Sequence, residues 1–203
     1  VLNKAILSEK KSLNYSFKTP KRYLVESKIK PNLKSLCHSN NILYEKVISF
    51  NNNKLVNKLR DMKIDIGAFC GGGLLRKNFL NLFSFGVLNC HMGVLPEYRG
   101  MDVVEWPIIE RDDEKVGVTC HLIDEGIDTG DILKIVRVNP KKFKDLIELR
   151  EYLSGIMLEL MISTIGSINK NTFKNKKQAK SDGKQYYVMH PIIKKITKNI
   201  YNQ

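Results

Sequence analysis

Short apolar runs between residues 64 and 138 constrain this chain more than any other feature. Residues 64–69, 85–91, 116–123 and 132–138 are rich in Ile, Val and Phe and have strand length rather than helix length. Helical spacing appears around them. Over residues 53–63, Leu55, Val56, Leu59 and Met62 share one helical face. Residues 145–168 carry Leu146, Leu149, Leu153, Ile156, Met157, Leu160 and Ile165 at the spacing of a long helix. Residues 101–111 read as a helix interrupted by Pro107. A short helix over 32–39 and a short strand over 42–47 precede these, and Ala5-Ile6-Leu7 could end another strand. Strands alternating with helices in this order predict an α/β fold with a mostly parallel sheet.

A chain of 203 residues suits one domain, here 1–203, with 1–30 poorly defined. Residues 169–203 form a basic C-terminal extension in which only 185–189 look ordered. No apolar window reaches the length of a membrane span, and no signal peptide is visible, so a cytoplasmic protein is expected. Cys37, Cys70, Cys90 and Cys120 are too sparse for a disulfide scaffold and read as reduced thiols. The net charge of +13 is uneven: +10 over residues 1–63, −5 over 64–140 and +8 over 141–203. Such flanks could attract phosphate or nucleic acid. The lysines are scattered without an aromatic-studded motif, so they read as a solvated surface, and no nucleic-acid partner is expected. The sequence does not set the oligomeric state.

Polar clusters fall where strands of such a sheet should end: Asn89-Cys90-His91, Thr119-Cys120-His121, and the loop 124–130 with Asp124, Gly126, Asp128 and Gly130. Ligands of open α/β sheets gather at such ends. Asn, His and Asp meeting there can polarise a carbonyl, stabilise an oxyanion and relay a proton. Each histidine alone would read as a core residue satisfied by one hydrogen bond. A metal site is not expected, because neighbours on a strand face opposite ways and Cys90-His91 and Cys120-His121 cannot chelate as pairs. Cys90 and Cys120 instead read as small apolar residues on the sheet's other face. Asn89 and His91 are two apart and share a face, as do Thr119 and His121.

The stretch 86–100, with Asn89-Cys90-His91 and Leu95-Pro96-Glu97-Tyr98-Arg99-Gly100, followed by 117–133, strongly resembles the folate-dependent formyltransferase family. The resemblance covers residues 40–140. It implies a Rossmann-like α/β domain with helices on both faces of the sheet, and no metal. It implies transfer of a formyl group from 10-formyltetrahydrofolate, as co-substrate, to a small-molecule primary amine. The family's catalytic Asn, His and Asp fall on Asn89, His91 and Asp128, with Thr119 and His121 supporting Asp128 or a water. A protonated His91, its pKa raised by Asp128, would aid Asn89 at the oxyanion. The family's pterin pocket falls on Gly73, Leu74 and Leu75 and on the loop with Ile123, Asp124 and Gly126.

The family's opening strand and loop have no counterpart in residues 1–30, so the first strand–helix unit is expected to be lacking. Met92-Gly93 stands where the family usually has Pro-Ser, Ala-Ser or Asn-Ser. Too little chain follows the long helix for a separate tRNA-binding barrel. The acceptor expected is therefore phosphoribosylglycinamide or a similar small amine bearing phosphate or sugar. Alternatives are formyltetrahydrofolate hydrolysis, formylation of methionyl-tRNA or an amino sugar, and an inactive truncated relic.

Overall fold

Helix starts are set by short polar side chains. Asn32 accepts from the backbone N–H of Lys34 and Ser35, Asn52 from Lys54, and Asp145 from Ile147 and Glu148. Each satisfies N–H groups that have no partner within the helix. The computed structural model describes residues 4–8, 32–71 and 73–203. In chain order the elements are β1 (Lys4–Ser8), α1 (Leu33–Ser39), β2 (Leu43–Val47), α2 (Asn53–Arg60), β3 (Ile64–Phe69), α3 (Lys77–Leu80) and β4 (Phe83–His91). They continue with β5 (Tyr98–Gly100), α4 (Glu105–Ile109), β6 (Gly117–Leu122), β7 (Ile132–Arg137), α5 (Leu146–Asn169), β8 (Lys184–Tyr186) and α6 (Pro191–Tyr201). Most of the poorly defined stretch 1–30 lies outside the described residues.

The main sheet has the order β3-β4-β6-β7, with β1-β2 and β5-β8 as separate parallel pairs. β3 is parallel to β4, but β6 is antiparallel to β4, and β7 to β6. The sheet is therefore mixed, which corrects the mostly parallel arrangement expected. The reason is partly loop length. Residues 123–131 join β6 to β7, fewer than the dozen or so a parallel crossover needs.

Helices cover both faces. Leu88 and Cys90 of β4 and Val118 and Cys120 of β6 pack on Leu149, Leu153 and Leu160 of α5. Val87, one residue from Leu88 and so on the opposite face, packs with Leu55, Val56 and Leu59 of α2 and Phe79 of α3. Met62, expected on that apolar face, lies beyond the end of α2 and is 40% exposed.

Two further expectations change. Pro107 does not interrupt a helix. It lies in the first turn of α4, where its missing N–H is not needed. Left-handed backbone at Gly100 and Asp102 delays the helix start to Glu105. The basic C-terminal stretch is more ordered than expected. β8 pairs with β5, Tyr186 stacks on Tyr98 at 5.0 Å, and α6 follows. Lys194 of α6 reaches Asp102 at 3.0 Å, and Arg150 of α5 pairs with the fully buried Glu105. These ionic contacts tie α4, α5 and α6 together.

Candidate active site

The pleat of β4 sends Asn89 and His91 to one face, and the antiparallel register sets Asn89 opposite His121 and His91 opposite Thr119. Cys90 and Cys120 pair on the other face, buried in the core. The loop after β6 then returns Asp128 between the two histidines. Its Oδ2 lies 3.5 Å from His91 Nδ1 and its Oδ1 lies 3.5 Å from His121 Nε2. Asp128 has φ of 53°, a left-handed conformation, and its Oδ2 accepts from the Gly100 N–H at 2.9 Å. Gly100 has φ of 96°, and a Cβ there would meet the Tyr186 carbonyl at 2.1 Å. Only glycine lets β5 approach β8 this closely.

Hydrogen bonding assigns the rings. His121 Nδ1 is 2.7 Å from the Leu122 carbonyl, which can only accept, so Nδ1 carries a proton. In the neutral ring, Nε2 then accepts from Asn89 Nδ2 at 3.2 Å. That uses one of the two amide N–H groups of Asn89 and leaves the other for a ligand. His91 Nε2 is 2.8 Å from the Tyr98 carbonyl and therefore donates to it.

Burial lowers the pKa of His91 below its ordinary value, and the charge of Asp128 opposes this without reversing it. The rise in His91 pKa expected from Asp128 is thus opposed by burial. A lone pair on Nδ1 facing the carboxylate also suits the 3.5 Å gap, which is long for a hydrogen bond. Burial pushes the Asp128 carboxyl upward, but a protonated His121 or His91 ring and the Gly100 N–H outweigh it and hold the group at about 2.

A cavity of about 100 Å³ opens beside these residues. Gly73, Leu74, Leu75, Ile123, Asp124, Gly126, Asn89, His121 and Asp128 line it, together with Phe69 and Ile127. The expected pocket residues and three of the expected polar residues therefore meet in one place. Leu75 is also core at 4% exposure, whereas Leu74 is 54% exposed. Apolar walls with backbone N–H and C=O groups at the edge suit a flat heteroaromatic ring. Asp124 shapes the loop by accepting from Gly126 N and Thr129 Oγ1.

His91 and Thr119 stand behind this lining. Thr119 was expected to support Asp128 or a water, and its hydroxyl serves the loop after His91 rather than Asp128. Its hydroxyl donates to Gly93 O at 2.7 Å and accepts from Leu95 N at 3.1 Å, fixing the loop after His91. A Cβ at Gly93 would come within 2.8 Å of His91 Nε2, so the small residue there leaves room for the ring. Sequence reasoning missed Gln178, whose side chain donates to the Asp128 and Gly130 carbonyls. Among the described residues, no group of three or more His, Cys, Asp or Glu is arranged to hold a metal ion. None of the described helices is long and apolar enough to cross a membrane.

Comparisons with known proteins bear on the family and the fold. Methionyl-tRNA formyltransferase of Clostridium acetobutylicum is 31% identical over 152 residues, 74% of this chain and 49% of that protein. The chain thus spans about half the length of that relative. An N-formyltransferase from Helicobacter canadensis, solved in complex with folinic acid and dTDP-3-aminofucose, superposes with a TM-score of 0.55 at 26% identity, covering 77% of this chain and 54% of that one. Phosphoribosylglycinamide formyltransferase from Bacillus halodurans shares the fold, with a TM-score of 0.55 at 22% identity over 70% of this chain and 77% of that one. Residues 8–152 match the family described as formyl transferase, and the chain belongs to that family.

Proposed function

We propose that this chain transfers a formyl group from 10-formyltetrahydrofolate to a primary amine. The observation that carries the reading is the meeting of Asn89, His121 and Asp128 with the apolar walls of Leu74, Leu75 and Ile123 in one cavity, with His91 in ion-pair range of Asp128. The donor would supply the formyl carbonyl, its pterin ring lying against Leu74, Leu75 and the loop 123–128.

When the amine attacks, negative charge builds on the carbonyl oxygen, and the free N–H of Asn89 is placed to donate to it. The amine must lose a proton. Asp128, held at about 2, is too weak a base to keep it. His91 is buried, neutral at rest and adjacent, so its Nδ1 takes up the proton by way of Asp128, the imidazolium pairs with the carboxylate, and the proton would return to the donor's N10 as the N10–formyl bond breaks and tetrahydrofolate leaves. His121 takes the other N–H of Asn89 and so orients its amide. Asn89, His91 and Asp128 are the proposed catalytic residues, with His121 supporting and Thr119 acting through the loop.

We place the acceptor among small amines carrying phosphate or sugar, with phosphoribosylglycinamide first, and the enzyme in the cytoplasm. The likeness to a methionyl-tRNA formyltransferase favours a second reading, methionyl-tRNA as acceptor. Incubation with 10-formyltetrahydrofolate plus phosphoribosylglycinamide, an amino sugar nucleotide, or methionyl-tRNA tests both. Formyl-amine from a small acceptor is the expected product. Formate without formyl-amine would mean hydrolysis, and no donor consumption would refute the activity.

A further inference from the structure

Gln178 lies on the segment that follows α5, 50 residues from Asp128 in the chain. Every hydrogen-bonding group of its amide is engaged in one direction. Nε2 donates to the carbonyl of Asp128 at 3.2 Å and to that of Gly130. Oε1 accepts from Arg99 Nη2 at 3.0 Å and from Arg99 Nε at 3.3 Å. Arg99 is 4% exposed and also donates to the Ala179 carbonyl. It precedes Gly100, whose N–H holds the Asp128 carboxylate.

β5 therefore grips Asp128 twice. One grip is direct, from Gly100 to the carboxylate. The other runs from Arg99 through Gln178 to the backbone carbonyls on either side of Thr129. A non-glycine residue at φ of 53° is held at a cost, and such a conformation persists only where its surroundings over-determine it. Nearby residues of the same segment bind elsewhere. Asn175 Nδ2 donates to the Asp131 side chain, and Lys176 exchanges backbone hydrogen bonds with Ile132.

We propose that Gln178 is a positioning residue for formyl transfer, holding the left-handed turn that sets the Asp128 carboxylate between His91 and His121. The inference rests on the role given to Asp128 above. It adds a part of the site that lies beyond residue 152, where the family match ends.

Two variants separate the bonds. Gln178→Met keeps length and bulk and removes both sets of hydrogen bonds. Gln178→Glu keeps an acceptor for Arg99 and sets a carboxylate against the two carbonyls. Asn175→Ala, on the same segment, is the control for general loosening. Turnover of 10-formyltetrahydrofolate with an accepted amine is measured, alongside NMR titration of the His91 and His121 rings. Both Gln178 variants are expected to lose about 10- to 100-fold in kcat, the scale of an ångström-sized displacement. KM for the donor should stay within about twofold, and Asn175→Ala should stay near wild type. In Gln178→Met the His91 midpoint should fall as the carboxylate moves off.

Unchanged kcat and unchanged titration in Gln178→Met would overturn the proposal, as would an equal loss in Asn175→Ala. If Gln178→Met fails to fold, Gln178→Glu, which retains the Arg99 contact, decides on kcat. If the wild type consumes no donor, the catalytic reading fails, while the titration still decides whether Gln178 places the carboxylate.

Discussion

Replacing Asp128 with Asn isolates the charge at the centre of the site. Asn tolerates left-handed backbone nearly as well as Asp, and its carbonyl can still accept from Gly100 N. What is lost is an ionised group held at about 2 against an ordinary 3.8. At 1.36 kcal/mol per unit, that difference makes the folded state about 2 kcal/mol more stable while a charged ring faces the carboxylate. The folded value lies below the unfolded one. The contribution is therefore complete above about pH 4 and is lost as the pH falls toward 2. Urea denaturation of both proteins at about pH 5 and about pH 3 measures it. The variant should be less stable by up to about 2 kcal/mol near pH 5, and the gap should narrow by about half near pH 3. The variant should also bind the folate donor and turn over at least about 100-fold more slowly. A stability gap that ignores pH would refute the electrostatic account. A gap accompanied by undiminished specific activity would reduce Asp128 to a structural role.

Other expectations follow from the same contacts. Asn89→Ala and His91→Ala should each lose about 100- to 1,000-fold in kcat with near-normal folding, read by steady-state kinetics and thermal melts. Leu74→Ala should weaken donor binding in titration with little effect on stability, whereas Leu75→Ala, in the core, should cost about 2–5 kcal/mol in denaturant unfolding. Burial lowers the His91 pKa below its unfolded value of 6.5, so its stabilising contribution is present above that pH and is lost as the pH falls below it. His91→Gln should flatten the stability profile in that window, and an unchanged slope would contradict the assignment.

Much of the site could be read from the chain because strand parity is a local property. Asn89 and His91 two apart, and Thr119 and His121 two apart, had to share faces, and the structure puts all of them on one side of β4 and β6. β3 matches its apolar run residue for residue, since Lys63 and Cys70 flank it with non-strand backbone. Strand direction is not a property of any one run. It follows from what the connections can span, and only the short loop 123–131 carried that signal. Thr119 was placed on the right face, but its bonds to the loop after His91 were not legible, because parity fixes a side chain's side and not its hydrogen bonds. Gln178 left no trace in periodicity at all. Its role depends on a turn made by Asp128 far upstream. The helix α6 was hidden by lysines interleaved with Ile192, Ile193, Ile196 and Ile200, a composition shared with the solvated surface.

The distance along the chain between Gln178 and Asp128 has a consequence for synthesis. A ribosome adds roughly 5–20 residues per second, so a stretch of 50 residues takes about 3–10 s to follow the Asp loop out. During that interval β4, β6 and β7 can already pair, and the backbone around Asp128 is without one of its two restraints. Lys194, which joins α6 to Asp102, arrives later still. The nascent protein is thus built scaffold first and reactive centre last, and the groups that do the chemistry reach their final spacing only when nearly the whole described chain is present.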